Sequence, residues 1–145
     1  MSNPGTNSCV WLIDDDELYH LITRKNLKKT GFSVVPSSFY NGKEAFDALQ
    51  EIVKSNGKTP CVIILDLNMP LYDGWDFLDW YANVDAAIRQ DISLYICSSS
   101  IDPKDSTRAI ENENVRAFVE KPMTTEMLSE ILMSHKQMLQ SRGLK

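Results

Sequence analysis

The sequence predicts an α/β fold whose core is a parallel sheet covered by helices on both faces. Three observations lead there. Short apolar runs recur along the chain, each is continuous rather than alternating, and helical patterns lie between them. An unbroken apolar run suits a strand buried on both sides, as parallel strands are.

Cys9 to Ile13 (CVWLI) is the first run and stops at Asp14-Asp15-Asp16. Leu18, Leu21, Ile22 and Leu27 then mark the inner stripe of a first helix, stopped by Gly31. Phe32 to Val35, closed by Pro36, reads as an edge strand, because proline has no N–H for a central ladder. A second helix follows on Ala45, Ala48, Leu49, Ile52 and Val53, ending near Asn56-Gly57. Cys61 to Leu65 (CVIIL) is the third run and stops at Asp66. Trp75 to Val84 is apolar on much of its circumference and reads as helix, Trp75 and Trp80 packing over the sheet. Leu94 to Cys97 (LYIC) stops at Ser98-Ser99-Ser100. The fourth helix spans Pro103 to Glu113, with Asp102 as N-cap, Pro103 at the first helical position, and only Ala109 and Ile110 to bury. Ala117 to Val119 stops at Glu120-Lys121-Pro122. The last helix carries Met127, Leu128, Ile131, Leu132, His135, Met138 and Leu139 on one stripe. Five strands alternating with five helices follow, as one domain over residues 9–140, after a disordered lead-in (1–8) and before a short tail (141–145).

At 145 residues the chain suits one sizeable core. A net charge of −5 and a pI near 5.0 argue against a nucleic-acid binder, which carries a basic face. Arg24, Lys25, Lys28 and Lys29 form one basic cluster, read as a solvated helix face. No apolar run is long enough to span a membrane and Met1 to Ser8 lacks the pattern of a signal peptide, so the expected compartment is the cytoplasm. Cys9, Cys61 and Cys97 sit in or beside strand-like runs and are expected to be small buried hydrophobes, not a disulfide framework or a zinc site. His20 and His135 lie singly on helical patterns, and packing or surface roles are expected of them.

In open parallel sheets ligands bind beyond the carboxyl ends of the strands. This chain places carboxylates there from the first run, a carboxylate from the third, hydroxyls from the fourth and an ammonium from the fifth. Asp14, Asp15 and Asp66 brought together would repel and raise one another's pKa values, which a divalent cation relieves. An oxygen-only donor set without clustered His or Cys points to Mg²⁺. Lys121 adds a positive charge and Ser98 a hydroxyl, and such a set suits phosphoryl transfer, which depends on positioning and charge stabilisation. Asp66 would then be the nucleophile that forms an aspartyl phosphate. Asp14 and Asp15 can cooperate only if the strand has already ended before them, since alternation would send them to opposite sides. Asp16 reads as a helix cap and Asp73-Gly74 as turn chemistry; Ser99 and Ser100 read as loop-shaping residues.

The segments LIDDDE, ILDLNMPLYDGWDFL, ICSSS and FVEKP together resemble the receiver domain of two-component response regulators, in that family's order over about residues 9–140. The resemblance implies a flavodoxin-like sheet of order 2-1-3-4-5, a chemotaxis-receiver architecture that the general rules for such folds already include. It implies that Asp66 accepts phosphate, that Asp14 and Asp15 are the acidic pair with Asp15 the more direct Mg²⁺ ligand, and that Asn68 offers its backbone carbonyl to the metal. Ser98 would bond a phosphoryl oxygen, Lys121 would pair with the phosphate through a turn with a cis bond to Pro122, and Phe118 would be the switch aromatic. It further implies a sensor histidine kinase or histidine phosphotransfer protein as donor and a downstream protein target, in a stand-alone switch rather than a turnover enzyme. A dehalogenase-type hydrolase shares the groups but follows its first strand with D-x-D, whereas Asp66-Leu67-Asn68 comes late and lacks the second Asp. A phosphorylation-independent scaffold would be expected to lack site residues, and none is missing. One receiver cut from a larger regulator would read the same.

Overall fold

The computed structural model describes residues 7–99 and 102–143, with side chains from Cys9 onward. Its elements are β1 (Asn7–Ile13), α1 (Glu17–Lys29), β2 (Val35–Phe39), α2 (Gly42–Lys54), β3 (Val62–Leu65), α3 (Gly74–Tyr81), α4 (Ala86–Arg89), β4 (Ser93–Ser98), α5 (Pro103–Glu111), β5 (Val115–Glu120) and α6 (Thr125–Ser141). The strands form one sheet of order β2-β1-β3-β4-β5, parallel at every pairing. This is the doubly wound order that the resemblance implied. The strand order reverses beside β1, and the crevice at that point lies outside the carboxyl ends of β1 and β3.

Alternation along each strand sorts the core into two faces. Trp11, Ile13, Ile63, Leu65, Leu94 and Ile96 point one way, into a cluster completed by α2, α3 and α5 through Leu49, Phe77, Leu78 and Ala109. Val10, Leu12, Val62, Ile64, Tyr95 and Cys97 point the other way, against Tyr19 and Leu27 of α1 and Leu128, Ile131 and Leu132 of α6. Both faces are covered, so the central strands are apolar at consecutive positions and read as continuous runs.

Four expectations need correction. The second strand is Val35–Phe39, not Phe32 to Val35. Pro36 does not close it: β2 is an edge strand bonded only to β1, and the register slips between Asn7 and Trp11 opposite the proline, which absorbs the missing donor. The helices number six among the described residues, because Asp85 caps a single extra turn, α4, through the Ala87 amide. On α1 the buried residues are Tyr19, His20, Thr23 and Leu27, whereas Leu18 and Leu21 are 63% and 53% exposed. Polar bonds set this rotation: Tyr19 and His20 each bond a backbone group beside the strand ends, and a stripe count cannot see them. Cys9 and Cys61 form a disulfide. They lie near the amino ends of adjacent strands, Cys9 within β1 and Cys61 just before β3, with Cα atoms 4.9 Å apart, inside disulfide reach, a proximity that their sequence separation of 52 hides. Cys97 is free and buried, as expected.

The helix ends agree with the capping residues read from the sequence. Asp16 caps α1 through the Leu18 amide and Asp102 caps α5 through the Lys104 amide. Gly31 adopts a φ of +84° just past α1, where an L side chain would be strained. β1 begins at Asn7, two residues before the expected start; the rest of the expected lead-in, residues 1–6, lies outside the described residues, as do Ser100, Leu144 and Lys145.

Candidate functional site

The site forms where β1, β3, β4 and β5 end side by side. β1 stops at Ile13, so Asp14 and Asp15 lie beyond the pleat. The Asp14 amide donates to the Phe39 carbonyl at 2.9 Å, and the Asp16 amide donates to Asp14 Oδ1 at 2.9 Å, a tight side-chain turn that fixes the Asp14 carboxylate. Asp66 follows β3 directly, its amide donating to the Ile13 carbonyl at 2.9 Å. Each of Asp14, Asp15 and Asp66 offers a carboxylate oxygen within 4.8 Å of the other two; Asp14 and Asp66 are buried and Asp15 is exposed. The requirement that the strand end before Asp14 is met.

Lys121 brings a positive charge to two of these acids. Lys121 Nζ stands 2.6 Å from Asp14 Oδ2 and 3.5 Å from Asp66 Oδ2. Burial alone would lower the lysine pKa, but the bond and charge of Asp14, with Asp66 behind, carry it above its ordinary value. Burial pushes the Asp66 carboxyl up to about 6; the Asp14 charge adds to this and Lys121 opposes it. The pocket therefore holds more negative charge than it neutralises. Among the described residues the metal-ligating group here is made of carboxylates alone, so its donors are hard oxygens and its charge deficit suits a divalent ion such as Mg²⁺.

Ser98 is the last residue of β4, fully buried, and its Oγ has no hydrogen-bond partner among the described residues. A buried hydroxyl left unpaired is costly, and such groups in native structures call for a reason. Its carbonyl accepts the Lys121 amide at 2.9 Å, tying together the ends of β4 and β5. The Lys121–Pro122 bond is cis, as the resemblance implied. Asn68 is exposed, and its amide reaches Asp66 Oδ1 at 3.4 Å. Phe118 is partly buried on β5 and pairs in register with Ile96. It therefore lies on the same sheet face as Ser98, two residues further along β4.

Two residues that the sequence assigns to packing or to a turn, His20 and Gly74, border this site, as does Tyr19, which the sequence does not single out. His20 is fully buried on α1, with Nε2 2.7 Å from the Asp14 carbonyl and its ring against Tyr40. Tyr19, its neighbour, faces Lys121. Gly74 opens α3 under the Asp73 capping box, and a Cβ there would meet the Asp66 carbonyl at 2.5 Å and Leu67 Cα at 2.8 Å. Glycine is thus demanded by the closeness of α3 to the Asp66 backbone, beyond any turn preference. The D-x-x-x-x-x-x-D-G spacing from Asp66 was the only signal in the sequence for that contact.

Residues 10–133 match the family model described as the response regulator receiver domain. The chain is similar to a two-component response regulator from Cytophaga hutchinsonii, with 26% identity, a TM-score of 0.81 and coverage of 91% of this chain and 98% of that one. A two-component response regulator from Legionella pneumophila shares the fold at 23% identity and a TM-score of 0.74, covering 88% and 97%. The sensor histidine kinase CheAY of Helicobacter pylori is 26% identical over 130 residues, which cover 90% of this chain and 15% of that protein. By its sheet order, its acidic cup and a family match over most of its length, the chain belongs to the response regulator receiver domains.

Proposed function

We propose that this receiver domain takes a phosphoryl group onto Asp66 and thereby switches a protein-binding surface. Receiver domains of two-component systems are signalling switches, so the open matter is the chemistry of this chain. The observation that carries the reading is the meeting of Asp14, Asp15 and Asp66, with Lys121 paired to the two buried ones.

Asp66 is the nucleophile. Its carboxylate oxygen forms a P–O bond while the bond from phosphorus to the donor breaks; a phosphohistidine donor leaves as imidazole, keeping the electron pair and taking up a proton. Lys121 offsets charge on the phosphoryl oxygens, and the Ser98 hydroxyl donates a hydrogen bond to one of them. Asp14, Asp15, Asp66 and the Asn68 carbonyl would hold Mg²⁺, which when bound neutralises the acidic cup and offers a position for a phosphoryl oxygen. The donor is a sensor histidine kinase or a histidine phosphotransfer protein, and the setting is the cytoplasm. The receiver unit is taken as residues 9–140.

The switch follows from Ser98 and Phe118 sharing a face. Drawing the Ser98 hydroxyl to the phosphate empties space toward which Phe118 can turn, and the surface of α5, β5 and α6 changes with it. A phosphate shifts this equilibrium only by bonding one state better than the other. α5 suits a moving element: Ala109 is its one buried residue and Ile110 is exposed. The test is intact mass after adding Mg²⁺ and a small acyl phosphate. One phosphoryl group is expected, lost on chelation and absent in Asp66→Asn; an unmodified parent chain under phosphohistidine donors as well would overturn the reading.

A further inference from the structure

We propose that Tyr19 is a positioning residue for Lys121, its ring face holding the ammonium within reach of Asp66 while its hydroxyl ties down the turn that carries the lysine. The inference rests on Asp66 as phosphoacceptor and goes beyond it. Lysine is a point charge on a long stem, with no fork to fix its direction and a large rotamer entropy to lose. In this cup Asp14 draws the ammonium to 2.6 Å, nearer than Asp66 at 3.5 Å. With those carboxylates alone the lysine would be free to pair with Asp14 from any side, including positions out of line with Asp66.

The Tyr19 ring removes that freedom. Lys121 Nζ lies 4.2 Å from its centroid, inside the range where an aromatic face attracts a cation, and the tyrosine is itself buried. The ring cannot drift, because its hydroxyl is held at two points. The Met123 amide donates to it at 3.1 Å, and Cys97 Sγ lies 2.7 Å away in a further hydrogen bond. Met123 follows Pro122, so the Tyr19 hydroxyl grips the chain two residues past Lys121. The Lys121 amide is bonded to Ser98 on the other side. Backbone and ammonium are thereby fixed from α1, β4 and the turn after β5. Burial, with the Cys97 interaction, pushes the Tyr19 phenol above its ordinary range, so it stays a neutral hydroxyl.

Two substitutions separate ring from hydroxyl: Tyr19→Phe keeps the face, and Tyr19→Leu removes it. Phosphorylation by a small acyl phosphate with Mg²⁺ is expected to slow about fivefold at saturating donor in Tyr19→Leu and about twofold in Tyr19→Phe, which keeps the ring face but loses the hydroxyl's hold on the turn. The Mg²⁺ concentration for half effect should be unchanged in both, which a general loosening of the fold would not leave intact. An independent reading comes from NMR without any donor. The Lys121 Hε protons should be displaced upfield by the ring in the parent and in Tyr19→Phe, and should return to the ordinary lysine position in Tyr19→Leu. Should Tyr19→Leu fail to fold, Tyr19→Met is read in its place. Undisplaced Lys121 protons in the parent would overturn the contact, and a ring-less variant phosphorylated at the parental rate would overturn the role. A parent chain with displaced protons that accepts no phosphate would instead sink the functional reading, and the positioning role with it.

Discussion

The two ends of the one sheet are built on opposite principles. At the carboxyl end, buried acids crowd Lys121, Asp66 is pushed up to about 6, and the Ser98 hydroxyl is buried with no partner among the described residues. At the amino end paired groups tie the strands together. Cys9 and Cys61 join β1 to β3, the Cys61 amide donates to the Cys9 carbonyl at 2.7 Å, the Ser93 amide donates to the Cys61 carbonyl at 2.8 Å, and Ser93 Oγ bonds His135 Nδ1 at 2.7 Å. One end stores unsatisfied charge that a ligand can relieve, and the other holds the strands in place. Substitutions should therefore separate cleanly: those at the carboxyl end change chemistry, those at the amino end change stability.

The sharpest version of that contrast is Asp66→Asn. It should abolish the phosphoryl adduct entirely in a mass spectrum yet melt no lower than the parent, and higher above pH 6. An ionised Asp66 is disfavoured in the folded state, by burial first and the Asp14 charge second, so removing the charge removes a cost. A marked fall in Tm would show that the cup is a structural ion network instead. Ser98→Ala comes next. It should still be phosphorylated, while the phosphorylation-induced change in the environment of Phe118, read as aromatic NMR shifts, is lost or strongly reduced.

At the amino end, Cys9→Ser should lower the stability of the oxidised protein by about 4 kcal/mol, because the bridge closes a loop of some fifty residues in the unfolded chain. For a chain of this size that is a Tm drop of about 13 °C. Phosphorylation should proceed at the parental rate. A slowed reaction would break the separation between the two ends.

How much of this was legible beforehand follows the same division. The acidic cup could be read because its residues interrupt apolar runs, and interruption at a strand end is a one-dimensional signal: Asp14, Asp15, Asp66, Ser98 and Lys121 all announce themselves this way. The cysteine bridge could not, because strand adjacency in the order β2-β1-β3 is a property of the topology and leaves no mark on local spacing. Tyr19 and His20 were hidden for another reason. Each belongs to a helix whose apolar count favours Leu18 and Leu21, and only the bonds to Met123 and to the Asp14 carbonyl turn the other face inward. Pro36 carries the local signal of a strand end, whereas an edge strand tolerates it by slipping register.

Mg²⁺ offers a smaller test from the carboxyl side. At about ten times its Kd it should raise Tm by about 4 °C, the stabilisation expected of a ligand that binds only the folded state. The rise should fade as pH falls through about 6, where Asp66 takes up a proton and stops being a ligand. Asp66→Asn should blunt it, and Cys9→Ser should leave it intact.

The smallest effect is expected from His135, and it runs in the opposite direction with pH. Burial holds its pKa below the ordinary 6.5, with the Arg116 charge adding, and its Nδ1 is bonded to Ser93. The folded chain thus keeps the imidazole neutral where the unfolded chain would protonate it. Below about pH 6.5 the unfolded state binds more protons, so this residue makes stability fall as the solution is acidified, until the folded-state pKa is reached. Above 6.5 it contributes no slope. Denaturant unfolding followed across that window should show a shallower acid loss in His135→Phe than in the parent, with phosphorylation of Asp66 unaffected. Were the slope unchanged, the acid sensitivity would belong to the carboxyl end, and the amino end would carry no titrating group of consequence.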